Sequence, residues 1–163
     1  MIEQAGYTAQ AVPTLEIVAA ADPDTLALQA KRQLTAATMA VFISRNAVDW
    51  LWRLPVDSMR LLNDCRLFAV GPATAARLHE YGLTQVATPE VGADSESLLA
   101  LRLLAAPHNE QILIVRGCGG RELIATTLRE RGAVVEYLEV YERRAHAGTA
   151  ARLPQLWRQH PRR

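Results

Sequence analysis

The sequence predicts an α/β fold: a parallel sheet with helices on both faces, forming one complete lobe with fragments of a second lobe at each end. Three observations predict it. Short apolar runs alternate with amphipathic stretches, the pattern of repeated βα units. The passage from helix to strand carries the same stop twice, as Glu80-Tyr81-Gly82-Leu83 and Glu130-Arg131-Gly132-Ala133. The apolar run Ile112 to Val115 leads directly into Arg116, the glycines Gly117, Gly119 and Gly120, and Arg121. That last stretch reads as a buried strand, a tight loop and a helix start. It places a candidate anion site at the carboxyl end of a parallel strand, where open α/β sheets bind ligands.

The elements follow in order. Thr38 to Ser44 reads as a strand. Asn46 to Leu54 reads as a helix, with Val48, Leu51 and Trp52 on one face and Pro55 near its end. Arg66 to Val70 is a short strand, after which Gly71 and Pro72 open a helix that runs to Tyr81 and stops at Gly82. Gln85 to Ala87 is a brief strand. Asp94 or Ser95 caps a helix carrying Leu98, Leu99, Leu101, Leu103 and Leu104. The strand 111–115 precedes a helix over 121–131, striped by Leu123, Ile124, Thr127 and Leu128, with Gly132 as its stop. Ala133 to Tyr141 returns as a strand.

The termini read differently. Glu3 to Val12 has the shape of the helix-stop signature, yet only Met1 to Ala5 precede Gly6, and a stable helix wants roughly 12 residues. Past Tyr141 the chain offers a polar stretch and Leu153 to Gln159 with no strand to pack on. The expected organisation is therefore 21–141 as a complete α/β lobe, with fragments of a second lobe at 1–20 and 142–163. Residues 1–18 are expected outside the sheet. Exposed apolar surface is expected near Tyr7 to Ile17 and Tyr137 to Tyr141, where the second lobe packs.

Composition excludes several classes. Half of the 163 residues are apolar, which supports a core. A net charge of +1 with 21% charged residues excludes a nucleic-acid-coating protein. No run of about 18 apolar residues marks a membrane span. Neither a basic leader nor an apolar signal core opens the chain. The two cysteines, Cys65 and Cys118, lie far apart. A cytoplasmic location is the expectation. His79, His108, His146 and His160 are scattered, with no metal-ligand spacing.

Three strand-to-helix junctions carry anion-friendly residues on the expected carboxyl edge. At 116–121, Arg116 and Arg121 supply charged donors, and Gly117, Gly119 and Gly120 allow close backbone approach; a turn needing glycine for geometry alone is the alternative. A dinucleotide loop fits less well, since the third glycine of the pattern would fall at Glu122. At Gly71 and Thr74, the hydroxyl and the helix N–H groups suit a carboxylate, or serve plain capping. At Ser44 and Asn46 the same two readings stand. Phe42, Trp50 and Trp52 read as core or lobe surface. Cys118 reads as a small loop residue, because no histidine has a sequence reason to sit beside it.

Several spaced motifs coincide: Val41-Phe42-Ile43-Ser44-Arg45-Asn46-Ala47-Val48, Phe68-Ala69-Val70-Gly71-Pro72-Ala73-Thr74-Ala75, Ser95-Glu96-Ser97-Leu98, Ile114-Val115-Arg116-Gly117-Cys118-Gly119-Gly120-Arg121-Glu122-Leu123, Gly132-Ala133-Val134-Val135 and Val140-Tyr141-Glu142-Arg143. In this order and at these spacings they resemble the uroporphyrinogen-III synthase family, from about residue 4 to 145. The resemblance implies two α/β lobes joined by two linker strands, with 21–141 as the inserted lobe and 12–18 and 137–143 as the linkers. Relative to the family, the usual opening strand and helix and the return segment that completes the first lobe are lacking.

The resemblance implies a cofactor-free lyase that cyclises hydroxymethylbilane to uroporphyrinogen III with ring D inverted. It makes Tyr141 the catalytic candidate, since a matching tyrosine faces the family's cleft and a neutral phenol can donate to a leaving hydroxyl. Without the resemblance, Tyr141 reads as a half-buried strand tyrosine. Ser44, Asn46, Gly71, Thr74, Arg116, Gly117, Gly119, Gly120 and Arg121 become the substrate-binding candidates. The implied partner is a small tetrapyrrole, with neither nucleic acid nor membrane, and a second lobe packed on the linkers. The alternative is a noncatalytic α/β anion-binding module derived from that enzyme.

Overall fold

The computed structural model describes residues 12–159. The chain divides into a large unit, 19–142, and a second unit that among the described residues comprises 12–18 and 143–159.

Six strands form one sheet in the order β1-β6-β5-β2-β3-β4. They are β1 (Leu15–Ala19), β2 (Met39–Phe42), β3 (Arg66–Ala69), β4 (Val86–Ala87), β5 (Gln111–Gly117) and β6 (Val134–Ala145). From β6 to β4 every pairing is parallel. The central strand β2 is buried along its whole length, as a strand covered on both faces must be. Its Met39 pairs with Arg66 on one side and Ile112 on the other.

Helices cover both faces. Met39, Val41, Phe68, Ile112, Ile114 and Val135 point to one face, where α5 (Ser95–Leu99), a 3-10 turn (Arg102–Leu104) and α6 (Leu123–Glu130) add Leu98, Leu99, Leu104, Ile124 and Leu128. Strand alternation sends Ala40, Phe42, Leu113 and Val115 the other way. Against that second set lie α1 (Pro23–Ala36) and α2 (Arg45–Trp52), while α3 (Ser58–Leu62) packs on α1, and α4 (Pro72–Glu80) packs on α2. Each fully buried Leu, Phe or Met stabilises the fold by about 1.5–3 kcal/mol relative to an exposed position.

Side chains start most helices. Asp22, Ser44, Asp57 and Asp94 each accept a backbone N–H from three residues on, at 2.7–3.1 Å. These satisfy donors that a helix N-terminus leaves orphaned. Trp52 of α2 stacks on Tyr81 at 4.5 Å between ring centroids, and Arg77 lies over the same tyrosine at 4.9 Å, tying α2 to the end of α4.

The structure corrects the sequence in three places. The helix expected from Asp94 through Leu104 breaks after Leu99, because Leu101 turns extended; a 3-10 turn follows and Leu103 is exposed. In α6 the buried stripe is Ile124, Ala125 and Leu128, with Leu123 exposed. Tyr137 to Tyr141 is not an exposed linker: β6 is an interior strand, and Leu138, Val140 and Tyr141 are buried. Of the segment Tyr7 to Ile17, Tyr7 to Ala11 lie outside the described residues, and Leu15 is exposed.

In the second unit, the Thr14 carbonyl accepts from the His146 N–H at 3.1 Å, and the Thr149 hydroxyl donates to the Pro13 carbonyl. The helix α7 (Thr149–Gln159) follows, with Pro154 inside it. Among the described residues no helix is long and apolar enough to cross a membrane, and no cluster of His, Cys, Asp or Glu could hold a metal ion.

Candidate functional site

The candidate residues lie along one edge of the sheet, at the carboxyl ends of β2, β3 and β5 and beside them within β6, which runs on past Tyr141. Gly117 ends β5 and pairs in register with Tyr141 of β6; Ser44 follows β2; Gly71 follows β3 and leads into α4. All of them belong to the large unit.

Three of them touch. The Ser44 Oγ lies 3.2 Å from the Tyr141 hydroxyl while accepting the Ala47 N–H at 3.1 Å. A Cβ added at Gly117 would meet Cε2 and Cζ of Tyr141 at 2.5 Å. The glycine is therefore required by the tyrosine ring, which lies flat against its backbone. The Tyr141 carbonyl accepts the Cys118 N–H at 2.7 Å, which closes the loop onto β6. Tyr141 is only 3% exposed, so its oxygen is held by packing as well as by hydrogen bonding.

Gly71 is also a packing glycine, since an added Cβ would sit 2.6 Å from the Cβ of Ala93. Thr74 is buried in the first turn of α4. Asn46 lines a groove of about 460 Å³ between α2 and α4, together with Arg45, Asp49 and Arg77. The Arg77 guanidinium is already tied to Asp49 and Glu80, which hold its pKa above the usual arginine range.

Arg116 and Arg121 part company. Arg121 is exposed, with Glu96 at 3.4 Å. Arg116 is buried on the α6 face, and its guanidinium reaches Glu122 and Glu139 at 3.0 Å each and lies 3.6 Å over the Tyr137 ring. Burial works against its charge, but the hydrogen bonds to Glu122 and Glu139 prevail and raise its pKa. Glu122 is held below the usual carboxylate range by hydrogen bonds from the Tyr137 hydroxyl and Arg116. Burial and the Glu122 carboxylate push the Tyr137 phenol up.

Glu139 also accepts the Gly119 N–H at 3.3 Å. An anion thus already sits against the glycine loop, and it is the protein's own carboxylate. Gly119 and Gly120 have φ of 72° and 113°, and an added Cβ would meet nothing within 4 Å of either. Their glycine identity answers to backbone conformation in an open loop. The Cys118 thiol is exposed, and its pKa is raised by burial of the sulfur and by Glu139 and Glu142, which disfavours the thiolate a nucleophile needs.

Glu122, Tyr137 and Glu139 were not among the sequence candidates. The available signal was Tyr137 and Glu139 standing two apart, and so on one side of the strand. If the cluster fixes the loop, Arg116→Met should cost about 1–2 kcal/mol, discounted because both carboxylates keep solvent access. Amide hydrogen exchange at 117–122 should rise in the same variant. Unchanged exchange there would show that the loop does not depend on Arg116.

Comparison with known proteins gives concordant matches. A family model described as Uroporphyrinogen-III synthase HemD matches residues 1–162. The uroporphyrinogen-III synthase of Proteus mirabilis is 35% identical over 140 residues, covering 85% of this chain and 70% of that protein. That of Salmonella typhimurium is 34% identical over 153 residues, covering 93% of this chain and 62% of that protein. The chain therefore spans 62–70% of the length of these relatives. Among solved structures, a mutant uroporphyrinogen III synthase from Thermus thermophilus superposes with a TM-score of 0.69 at 20% identity, over 96% of this chain and 62% of that one. The uroporphyrinogen-III synthetase of Helicobacter pylori does so with a TM-score of 0.58 at 20% identity, over 88% of this chain and 59% of that one. At these identities the structural likeness speaks for the fold.

Proposed function

Because the chain belongs to the uroporphyrinogen-III synthase family, we propose that it carries one lobe, with its linkers, of a two-lobed cyclase that converts hydroxymethylbilane to uroporphyrinogen III in the cytoplasm. The observation that carries this reading is the convergence of Tyr141, Ser44 and Gly117 from neighbouring strands at one edge of the sheet.

The chemistry asks little of acids and bases. The hydroxymethyl C–O bond breaks as the pyrrole nitrogen pushes its electrons into the ring system, giving an azafulvene. Tyr141 donates its phenol proton to the departing oxygen, which leaves as water, and the pyrrole N–H proton returns to the phenolate. Ring closure then passes through a spiro intermediate that inverts ring D. The protein folds the substrate and restrains ring D, and it stabilises charge at the leaving oxygen. Carboxylate arms of the substrate bind at Arg121, at the loop of Gly117, Gly119 and Gly120, and at the helix starts bearing Ser44, Asn46, Gly71 and Thr74. The pairing of Arg116 with two carboxylates favours a role for it in shaping the loop.

The test is product isomer ratio, because uncatalysed closure gives the type I isomer without inversion. The full two-lobe protein should give the type III isomer, and the 163-residue chain by itself should be weak or inactive. Arg121→Ala in the two-lobe protein should raise KM with kcat nearly unchanged, since it recognises a group that does not react. If the two-lobe protein gives only type I product at the background rate, the synthase reading fails and a noncatalytic anion-binding module takes its place.

A further inference from the structure

We infer that Ser44 is a positioning residue that aims and polarises the Tyr141 hydroxyl, through a relay running from the first turn of α2 to the reacting oxygen; this rests on the synthase reading above. Three facts support it. The Ser44 oxygen accepts the Ala47 N–H at 3.1 Å and stands 3.2 Å from the Tyr141 hydroxyl. Ser44 is therefore both the cap of α2 and the neighbour of the phenol. The phenol ring is buried and seated on the backbone of Gly117, so its oxygen has little freedom to seek another position.

A hydroxyl carries one proton and two lone pairs, and its proton rotates to suit its partners. In the reacting arrangement Ala47 N–H donates to Ser44, Ser44 O–H donates to Tyr141, and Tyr141 O–H donates to the leaving oxygen. Each oxygen accepts one bond and donates one. Such chains polarise their members. The chain also begins at the positive end of an α-helix, which favours negative charge growing at its far end. When the phenol gives up its proton, the phenolate keeps the hydrogen bond from Ser44. No bond of Ser44 breaks in the cycle, so its role is positional.

The capping role has to be separated from the relay. Ser44→Thr keeps the cap and the hydroxyl donor. Ser44→Asp keeps a cap acceptor but has no proton to offer the phenol. Ser44→Ala loses both. In the two-lobe protein, Ser44→Ala and Ser44→Asp should each lower kcat about tenfold, at the low end of what a positioned proton donor supplies. Ser44→Thr should stay within about twofold of the parent. On a Tyr141→Phe background, Ser44→Ala should cause no further loss, because the two residues act as one unit.

A second arm needs no turnover. In the 163-residue chain with tyrosine labelled at Cζ, the Tyr141 resonance is the one lost in Tyr141→Phe. It should move in Ser44→Ala and Ser44→Asp and stay in Ser44→Thr. A resonance indifferent to Ser44, or kcat losses that add on the Tyr141→Phe background, overturns the inference and leaves the synthase reading standing. A parent that yields only type I product sinks that reading, and the catalytic role of Ser44 with it, whatever the resonance does.

Discussion

Gly117→Ala should destabilise the fold by about 1–3 kcal/mol and displace Tyr141, the range typical of an extra methyl forced into a packed site. The added Cβ would stand 2.5 Å from two ring carbons. Real Cβ contacts essentially never come under 3.0 Å, so either the ring or the strand must shift. The ring cannot swing into solvent at no cost, because it is 3% exposed and its hydroxyl is held at Ser44. Its backbone cannot retreat freely either, since its carbonyl receives the Cys118 N–H at 2.7 Å. On the proposed mechanism, a displacement of about 1 Å at the reacting oxygen costs on the order of 100-fold in rate. The control for the stability effect is Gly119→Ala, which meets no neighbour and pays in stability only for its left-handed backbone, about 1–2 kcal/mol. Urea unfolding and single-turnover cyclisation measure the two effects. A Gly117→Ala protein that keeps both parental stability and parental turnover would show that the ring contact is unimportant.

That glycine also shows where sequence reasoning stops. The buried strands β2 and β5 were legible as apolar runs, and α4 was legible from Pro72 at its start and Gly82 after its end. The helix α1 escaped notice because two of its buried residues, Ala27 and Ala30, are alanines, which leave a faint stripe. The signal that remained was local, Asp22 capping ahead of Pro23. At the site, residue types and their common edge of the sheet followed from βα alternation. Partners did not. Gly117 read as a residue that lets a ligand approach, yet what approaches is Tyr141. Arg116 read as a ligand cation, yet Glu139 on the neighbouring strand and Glu122 at the start of α6 engage it. Both pairings depend on the register of β5 against β6, with its irregularity between Arg116 and Gly117. No local pattern encodes that register.

Tyr141→Phe should cut turnover of the two-lobe protein by about 100- to 1000-fold, with KM little changed. Phenylalanine fills the same buried space, so ring packing on Gly117 is kept and no cavity opens. What goes is one hydroxyl and its hydrogen bond to Ser44, worth about 0.5–1.5 kcal/mol to stability. Ser44 still accepts from Ala47 and so still caps α2. The kinetic loss is larger than the stability loss because the hydroxyl meets most of its charge only as the C–O bond breaks. A positioned donor to such an oxygen is worth about 2.7–4 kcal/mol of barrier where one has been removed. The effect therefore belongs in kcat, in contrast to Arg121→Ala, whose carboxylate contact is made in the ground and transition states alike. Steady-state kinetics with analysis of both isomers distinguishes the two. A Tyr141→Phe protein that folds normally and still makes type III product at the parental rate would remove Tyr141 from the chemistry and leave its ring a purely structural part of the sheet edge.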